Sequence, residues 1–139
     1  MNAISIAQPA AEVFQAAPFL VRIRDDEDYQ AALELVETLI DEGSDTNDFL
    51  IERLADVIEE WEEHSPEFAA FNDRVGALDG IDMLKFLMGQ YKLGVADLPE
   101  IGSKSYVSKI LNRKRDLTRR HIEALADRFS VAPTLFLAR

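Results

Sequence analysis

Seven basic side chains, Lys104, Lys109, Arg113, Lys114, Arg115, Arg119 and Arg120, fall in one short stretch that a single acid, Asp116, interrupts. Cations this closely spaced are the electrostatic footprint of phosphate binding. Among them stand Ser103, Ser105, Tyr106, Ser108 and Asn112, whose hydroxyl and amide groups can donate to and accept from base edges. Catalytic groupings are not apparent. His64 and His121 are the only histidines and lie far apart in the chain, and there is no cysteine, so neither a metal-ligand spacing nor a nucleophile–base pair stands out. The acids of the run 59–63 read as a solvated helix face rather than as a catalytic carboxylate pair, and the glycines near the middle read as linker rather than as a phosphate loop. The expectation is a binding protein, not an enzyme, with no cofactor or metal.

The elements that must position the basic stretch are set by a division of charge. Residues 1–78 hold 4 Lys/Arg against 19 Asp/Glu, a net of −15, whereas residues 79–139 hold 11 against 7, a net of +4. An acidic half would repel a phosphate backbone, which excludes a protein that coats nucleic acid unselectively. The division implies one module that touches DNA and another that touches a different, basic partner. With 139 residues, 47% of them hydrophobic, the chain can bury a moderate core or two small ones. The absence of cysteine, of a secretory leader pattern and of an apolar run of membrane length predicts a cytoplasmic protein that does not enter the membrane.

Apolar spacing is helical throughout, and the fold is expected to be all-α. In the first half a short helix is expected over 10–16, interrupted by Pro18. A longer one covers 27–42, capped by Asp25 or Asp26 and ended by Gly43. A third covers 47–64, with Leu50, Leu54, Ile58 and Trp61 inward. Ser65 and Pro66 open a short helix carrying Phe68 and Phe71, and 75–80 is the junction. The second half reads as five short helices over 81–91, 95–101, 104–111, 119–129 and 133–137, with Gly102 making the turn before the third and Thr118 capping the fourth. Ile81, Leu84, Leu87, Met88 and Tyr91 are expected to point inward from the first of these.

Two short helices joined by a tight turn, packed among three others, describe a helix-turn-helix. Val107, Ile110 and Leu111 anchor its second helix, which leaves Lys104, Ser105, Tyr106, Ser108, Lys109 and Asn112 facing outward. Together with Ser103 at the helix start and Arg113, Lys114 and Arg115 in the following loop, these are the candidate DNA-binding residues.

At these residues the chain resembles a known family. The stretch from Leu93-Gly94 to Leu137 resembles the lambda-repressor-like (Xre-type) helix-turn-helix domain. Residues 97–105, with Val107-Ser108, Arg113-Lys114-Arg115 and Leu117-Thr118, are similar to HigA-type antitoxins. Upstream, Ala17-Pro18-Phe19-Leu20, Tyr29, residues 31–36, Trp61-Glu62-Glu63 and Ser65-Pro66-Glu67-Phe68 are similar to the amino-terminal domain of the same family. Gly94 and Val95 depart from the Thr-Gln that most such repressors carry, where the Gln braces a phosphate. The resemblance implies an acidic toxin-binding and dimerising domain over 1–78 and a DNA-binding domain over 79–139. It also implies neutralisation of a HigB-type toxin, a small messenger RNA endonuclease, and repression of the chain's own operon as a homodimer on operator DNA. An ordinary repressor of this type, whose first half only dimerises or senses a signal, is the alternative.

Charge alone supplies candidates for a basic protein partner. These are Asp25, Asp26, Glu27 and Asp28 at the start of one helix and Glu59, Glu60, Glu62 and Glu63 at the end of the next.

Overall fold

The computed structural model describes residues 3–65 and 80–136, and among them every regular element is helical, as the apolar spacing predicts. Helix α1 (Ala3–Ala16) begins earlier than expected and continues through Pro9, whose missing N–H costs it one hydrogen bond. Pro18 opens a 3-10 turn (Pro18–Leu20) that sets Leu20 into the core. Helix α2 (Asp26–Glu42) starts where Asp25 accepts the Asp28 N–H at 2.8 Å and ends at Gly43, which sits in the left-handed region at φ 68°. Helix α3 (Asp48–His64) follows a further 3-10 turn (Asp45–Asn47) and returns alongside α2. The expected short helix at Phe68 and Phe71 and the junction over 75–79 lie outside the described residues.

The α2–α3 pair buries Tyr29, Ala32, Val36 and Leu39 against Ile51, Leu54, Val57 and Ile58. Of the expected inward side chains on α3, Leu54 and Ile58 are buried, while Leu50 and Trp61 are half-buried. The reason is that α3 is covered on two sides. Its Ala55 belongs to the core of the second half, so the buried stripe is wider and rotated relative to a one-sided helix.

The second half consists of α4 (Gly80–Tyr91), a 3-10 turn (Val95–Asp97), α5 (Lys104–Leu111), α6 (Arg119–Phe129) and a 3-10 segment (Pro133–Phe136). The five helical segments come in the expected order, but the second is a single turn where a helix over 95–101 is expected. Pro99 is the cause. The residue before a proline is pushed out of helical geometry, and Leu98 accordingly lies at φ −121°, ψ 60°. Leu98 and Ile101 are nevertheless buried, so the irregular stretch still pins the turn to the core. Tyr91, expected inward, is 58% exposed and lies against Phe129 with ring centroids 5.2 Å apart. Residue 137 of the expected last helix lies outside the described residues. No helix among the described residues is long and apolar enough to cross a membrane.

Candidate nucleic-acid interface

Helix α5 is fixed at its start by Ser103, whose hydroxyl accepts the Tyr106 N–H at 3.2 Å, and along its length by buried Tyr106, Val107 and Ile110. The side chains left outside are Lys104 and Ser105 at its first turn and Ser108, Lys109 and Asn112 further on, all exposed or half-exposed. The Asn112 amide lies 3.3 Å from the Ser108 hydroxyl. The helix ends with the Lys114 N–H on the Lys109 carbonyl at 2.8 Å, which forces Arg113 to φ 63°. Glycine fits that position at less cost.

Tyr106 is a correction to the outward set, because it is 1% exposed. Its ring lies 5.5 Å from that of His121, with the Arg115 guanidinium 5.4 Å from its centroid. The apolar stripe of α5 is therefore turned by one position from the expected Val107, Ile110 and Leu111, and Leu111 is only half-buried. Burial raises the Tyr106 hydroxyl well above its ordinary value, so it stays protonated. Gly102 explains why the ring fits. A Cβ there would come within 2.6 Å of the Tyr106 Cδ2.

His121 completes this buried group. The Thr118 N–H donates to its Nδ1 at 3.0 Å, and the His121 N–H donates back to the Thr118 hydroxyl at 3.3 Å, a reciprocal cap at the start of α6. An Nδ1 that accepts carries no proton, so the neutral ring bears its hydrogen on Nε2, 3.3 Å from the Tyr106 hydroxyl. Burial first, then the nearby Arg120 and Arg115 charges, hold the imidazole down to about 3.

The basic stretch is less free than its sequence implies. Lys109 pairs with Glu52 at 2.5 Å, and Arg115, with a side chain only 14% exposed, meets Asp56 at 2.7 Å, Glu59 at 3.5 Å and Glu52 at 3.6 Å. Arg120 pairs with Glu37 at 2.5 Å and donates to the Glu100 carbonyl at 2.8 Å. Arg113 meets Asp82 at 2.8 Å, and Arg119 meets Glu123 at 3.6 Å. Lys104 and Lys114 make no ion pair among the described residues and stand exposed. Arg115, expected to reach phosphate, is thus turned toward α3. Sequence reasoning missed its partners although a signal was present, since Glu52, Asp56 and Glu59 recur at i, i+4 and i+7, one acidic stripe flanking Ala55.

The acidic candidates also divide. The Tyr29 hydroxyl donates to Glu62 at 2.6 Å, which brings the start of α2 against the end of α3 and gathers both acidic groups at one end of the pair. Asp25, Asp26, Glu27, Glu60 and Glu63 are exposed there. Asp28, Glu59 and Glu62 are not part of an open face. Asp28 is 8% exposed and paired with Arg24 at 2.9 Å, which holds its carboxyl below the ordinary value. Glu62 is 4% exposed and also accepts the Arg119 N–H at the start of α6, at 2.9 Å. Its burial nonetheless raises its pKa. Glu59 is pushed up to about 7, because loss of water outweighs the attraction of Arg115.

Known proteins are similar to this chain along nearly its whole length. Residues 4–72 match the family model described as the HigA antitoxin, N-terminal domain. The proteins called Antitoxin HigA in Escherichia coli K12, in Escherichia coli O6:H1 and in Shigella flexneri are each 44% identical over 133 residues, spanning 95% of this chain and 95% of each relative. Such identity across both halves, over a helical fold whose second half carries the helix-turn-helix order, places the chain in the HigA antitoxin family.

Proposed function

We propose that this antitoxin neutralises a small messenger RNA endonuclease toxin of the HigB type through its acidic half, residues 1–78, and represses its own operon by binding operator DNA through residues 79–139. The observation that carries the DNA reading is the exposed start of α5. There Lys104 and Ser105 project, with Ser108 further along and Asn112 at the far end, from a helix that Ser103, Val107 and Ile110 hold firmly in place. Serine side chains in the first turns of such a helix and an asparagine along the same exposed side suit base edges in the major groove, and Lys104 and Lys114 suit the flanking phosphates. Arg113 keeps a costly left-handed backbone at the end of the same helix, which fits a side chain retained for its charge.

The support for toxin binding is electrostatic. An enzyme that cleaves RNA needs a basic surface, and the exposed Asp26, Glu27, Glu60 and Glu63 lie together at one end of the α2–α3 pair. A homodimer is part of this reading. Ile6, Val13 and Phe14 leave an apolar strip of α1 in water that a second copy would cover.

The test is co-expression with the product of each adjacent gene. One of them, a small basic protein, should arrest growth alone and permit it with this chain, and the two should purify as a complex. Growth arrest unaffected by the chain, or no complex at low salt, would refute the toxin reading.

A further inference from the structure

Lys109 lies on the helix proposed to read DNA, yet its ammonium is held at 2.5 Å by Glu52, a residue of the acidic half. The Glu52 side chain is 23% exposed and that of Lys109 40% exposed, so the pair sits at the edge of the interface with the cation still open to solvent on one side. A carboxylate presents to the ammonium much what a phosphate oxygen would, a charged acceptor at hydrogen-bond distance. The neighbouring Arg115 behaves differently. It is deeper, it is held chiefly by Asp56 and Glu59, and its contact with Glu52 is the longest of the three. Arg115 therefore keeps Asp56 and Glu59 as anchors to α3 whether or not Glu52 is charged, and of the two cations at Glu52 the one held at hydrogen-bond distance is Lys109.

Resting on the proposal that α5 faces DNA, we propose that Glu52 is an internal competitor for DNA phosphate, which withdraws Lys109 from the backbone and so holds down sequence-independent binding. Sequence-independent affinity comes almost entirely from cations that displace counterions, and a cation already satisfied within the protein displaces none. Base contacts from Ser105, Ser108 and Asn112 do not draw on Lys109, so the acid trims the unselective part of binding. An acidic residue on a helix outside the DNA-reading half thereby becomes a determinant of specificity.

The experiment is a titration of the full-length chain against a random-sequence duplex between 50 and 200 mM salt, for wild type, Glu52→Gln, Lys109→Gln and the double variant. Glu34→Gln removes the same charge from the same half and serves as control, since Glu34 is exposed and forms no ion pair among the described residues. Freeing Lys109 should steepen the salt slope of Glu52→Gln by about 0.9, so that affinity falls roughly 3.5-fold more than wild type over that fourfold range. Glu34→Gln should keep the wild-type slope. Lys109→Gln should keep it too, because that cation is already engaged, and the double variant should return to it. Glu52→Gln behaving as Glu34→Gln, or Lys109→Gln alone flattening the slope by about 0.9, would overturn the proposal while leaving DNA reading intact. Absence of any binding at 50 mM salt by wild type and Glu52→Gln alike, both to the random duplex and to the DNA upstream of the coding sequence, would overturn both. Should Glu52→Gln fail to fold, Lys109→Gln decides alone.

Discussion

His121 and Glu59 make opposite demands on pH, and removing either should expose the other. The His121 imidazole is neutral in the fold with a pKa of about 3, against about 6.5 when unfolded. Its contribution is complete above the unfolded value and is lost as pH falls, because the unfolded chain takes up the proton first. Between pH 7 and pH 5 that loss is about 2 kcal/mol. Glu59, pushed up to about 7 from an ordinary value near 4.5, works the other way. The folded chain holds its proton more tightly, so stability rises as pH falls across that window, by about 1 to 2 kcal/mol after allowance for its partly exposed side chain. The two nearly cancel, and Glu62, whose pKa burial also raises, works in the same direction as Glu59, so wild-type stability should hold or rise between pH 7 and pH 5. His121→Asn keeps an acceptor for the Thr118 N–H but cannot titrate, so although less stable throughout it should gain about 1 to 2 kcal/mol on acidification. Glu59→Gln should instead lose up to about 2 kcal/mol over the same interval, less the part that Glu62 offsets. Urea unfolding followed by circular dichroism at the two pH values reads both. If His121→Asn shows the same pH dependence as wild type, the neutral, accepting imidazole at the start of α6 is wrong.

Other residues separate in the same quantitative way. Lys114→Ala should weaken binding to every DNA sequence and lower the salt slope by about 0.9, whereas Arg115→Ala should chiefly lower the unfolding midpoint, because its charge is spent on Asp56 and Glu59. Ser105→Ala or Asn112→Ala should relax preference at particular base positions by about 1 to 3 kcal/mol where a paired contact is lost, measured against a panel of single-base operator variants. Gly102→Ala should destabilise by about 1 to 3 kcal/mol in thermal unfolding, since its Cβ would meet the buried Tyr106 ring. Reversal of charge at Asp26, Glu27, Glu60 and Glu63 should slow association with a basic toxin in stopped-flow mixing at low salt, while the same change at Glu34 and Asp45, away from that end of the pair, should slow it less.

The parts of the fold that could be read from the chain were those with local causes. Helices α5 and α6 begin where Ser103 and Thr118 supply a cap, and α2 begins and ends at Asp25 and Gly43, so adjacent residues suffice to place them. The brief turn at Val95–Asp97 also has a local cause, because Pro99 and its effect on Leu98 override the helical spacing over 95–101. Tyr106 departs from expectation for a different reason. Its burial depends on His121, fifteen residues on, and on the absence of a Cβ at Gly102, which no helical periodicity encodes. The same holds for Glu62. An acid at the end of a helix looks solvent-facing until Tyr29 and the start of α6 close over it. The charge division between the halves was visible as arithmetic, but its physical use was not. Part of the acidity is an internal match for Lys109, Arg115 and Arg120, so the net charge overstates what is free for an external partner.

Everything proposed for the second half depends on α5 reading DNA. Its most direct test is equilibrium binding of the full-length chain to the DNA upstream of its own coding sequence, beside a shuffled duplex of equal length and composition, with Ser105→Ala/Asn112→Ala measured in parallel at 150 mM salt. The wild type should prefer the upstream sequence by about a thousandfold or more, and the variant should lose most of that preference while its affinity for the shuffled duplex stays unchanged. Equal affinity of the folded wild type for both duplexes, or a preference that the variant retains in full, would contradict it.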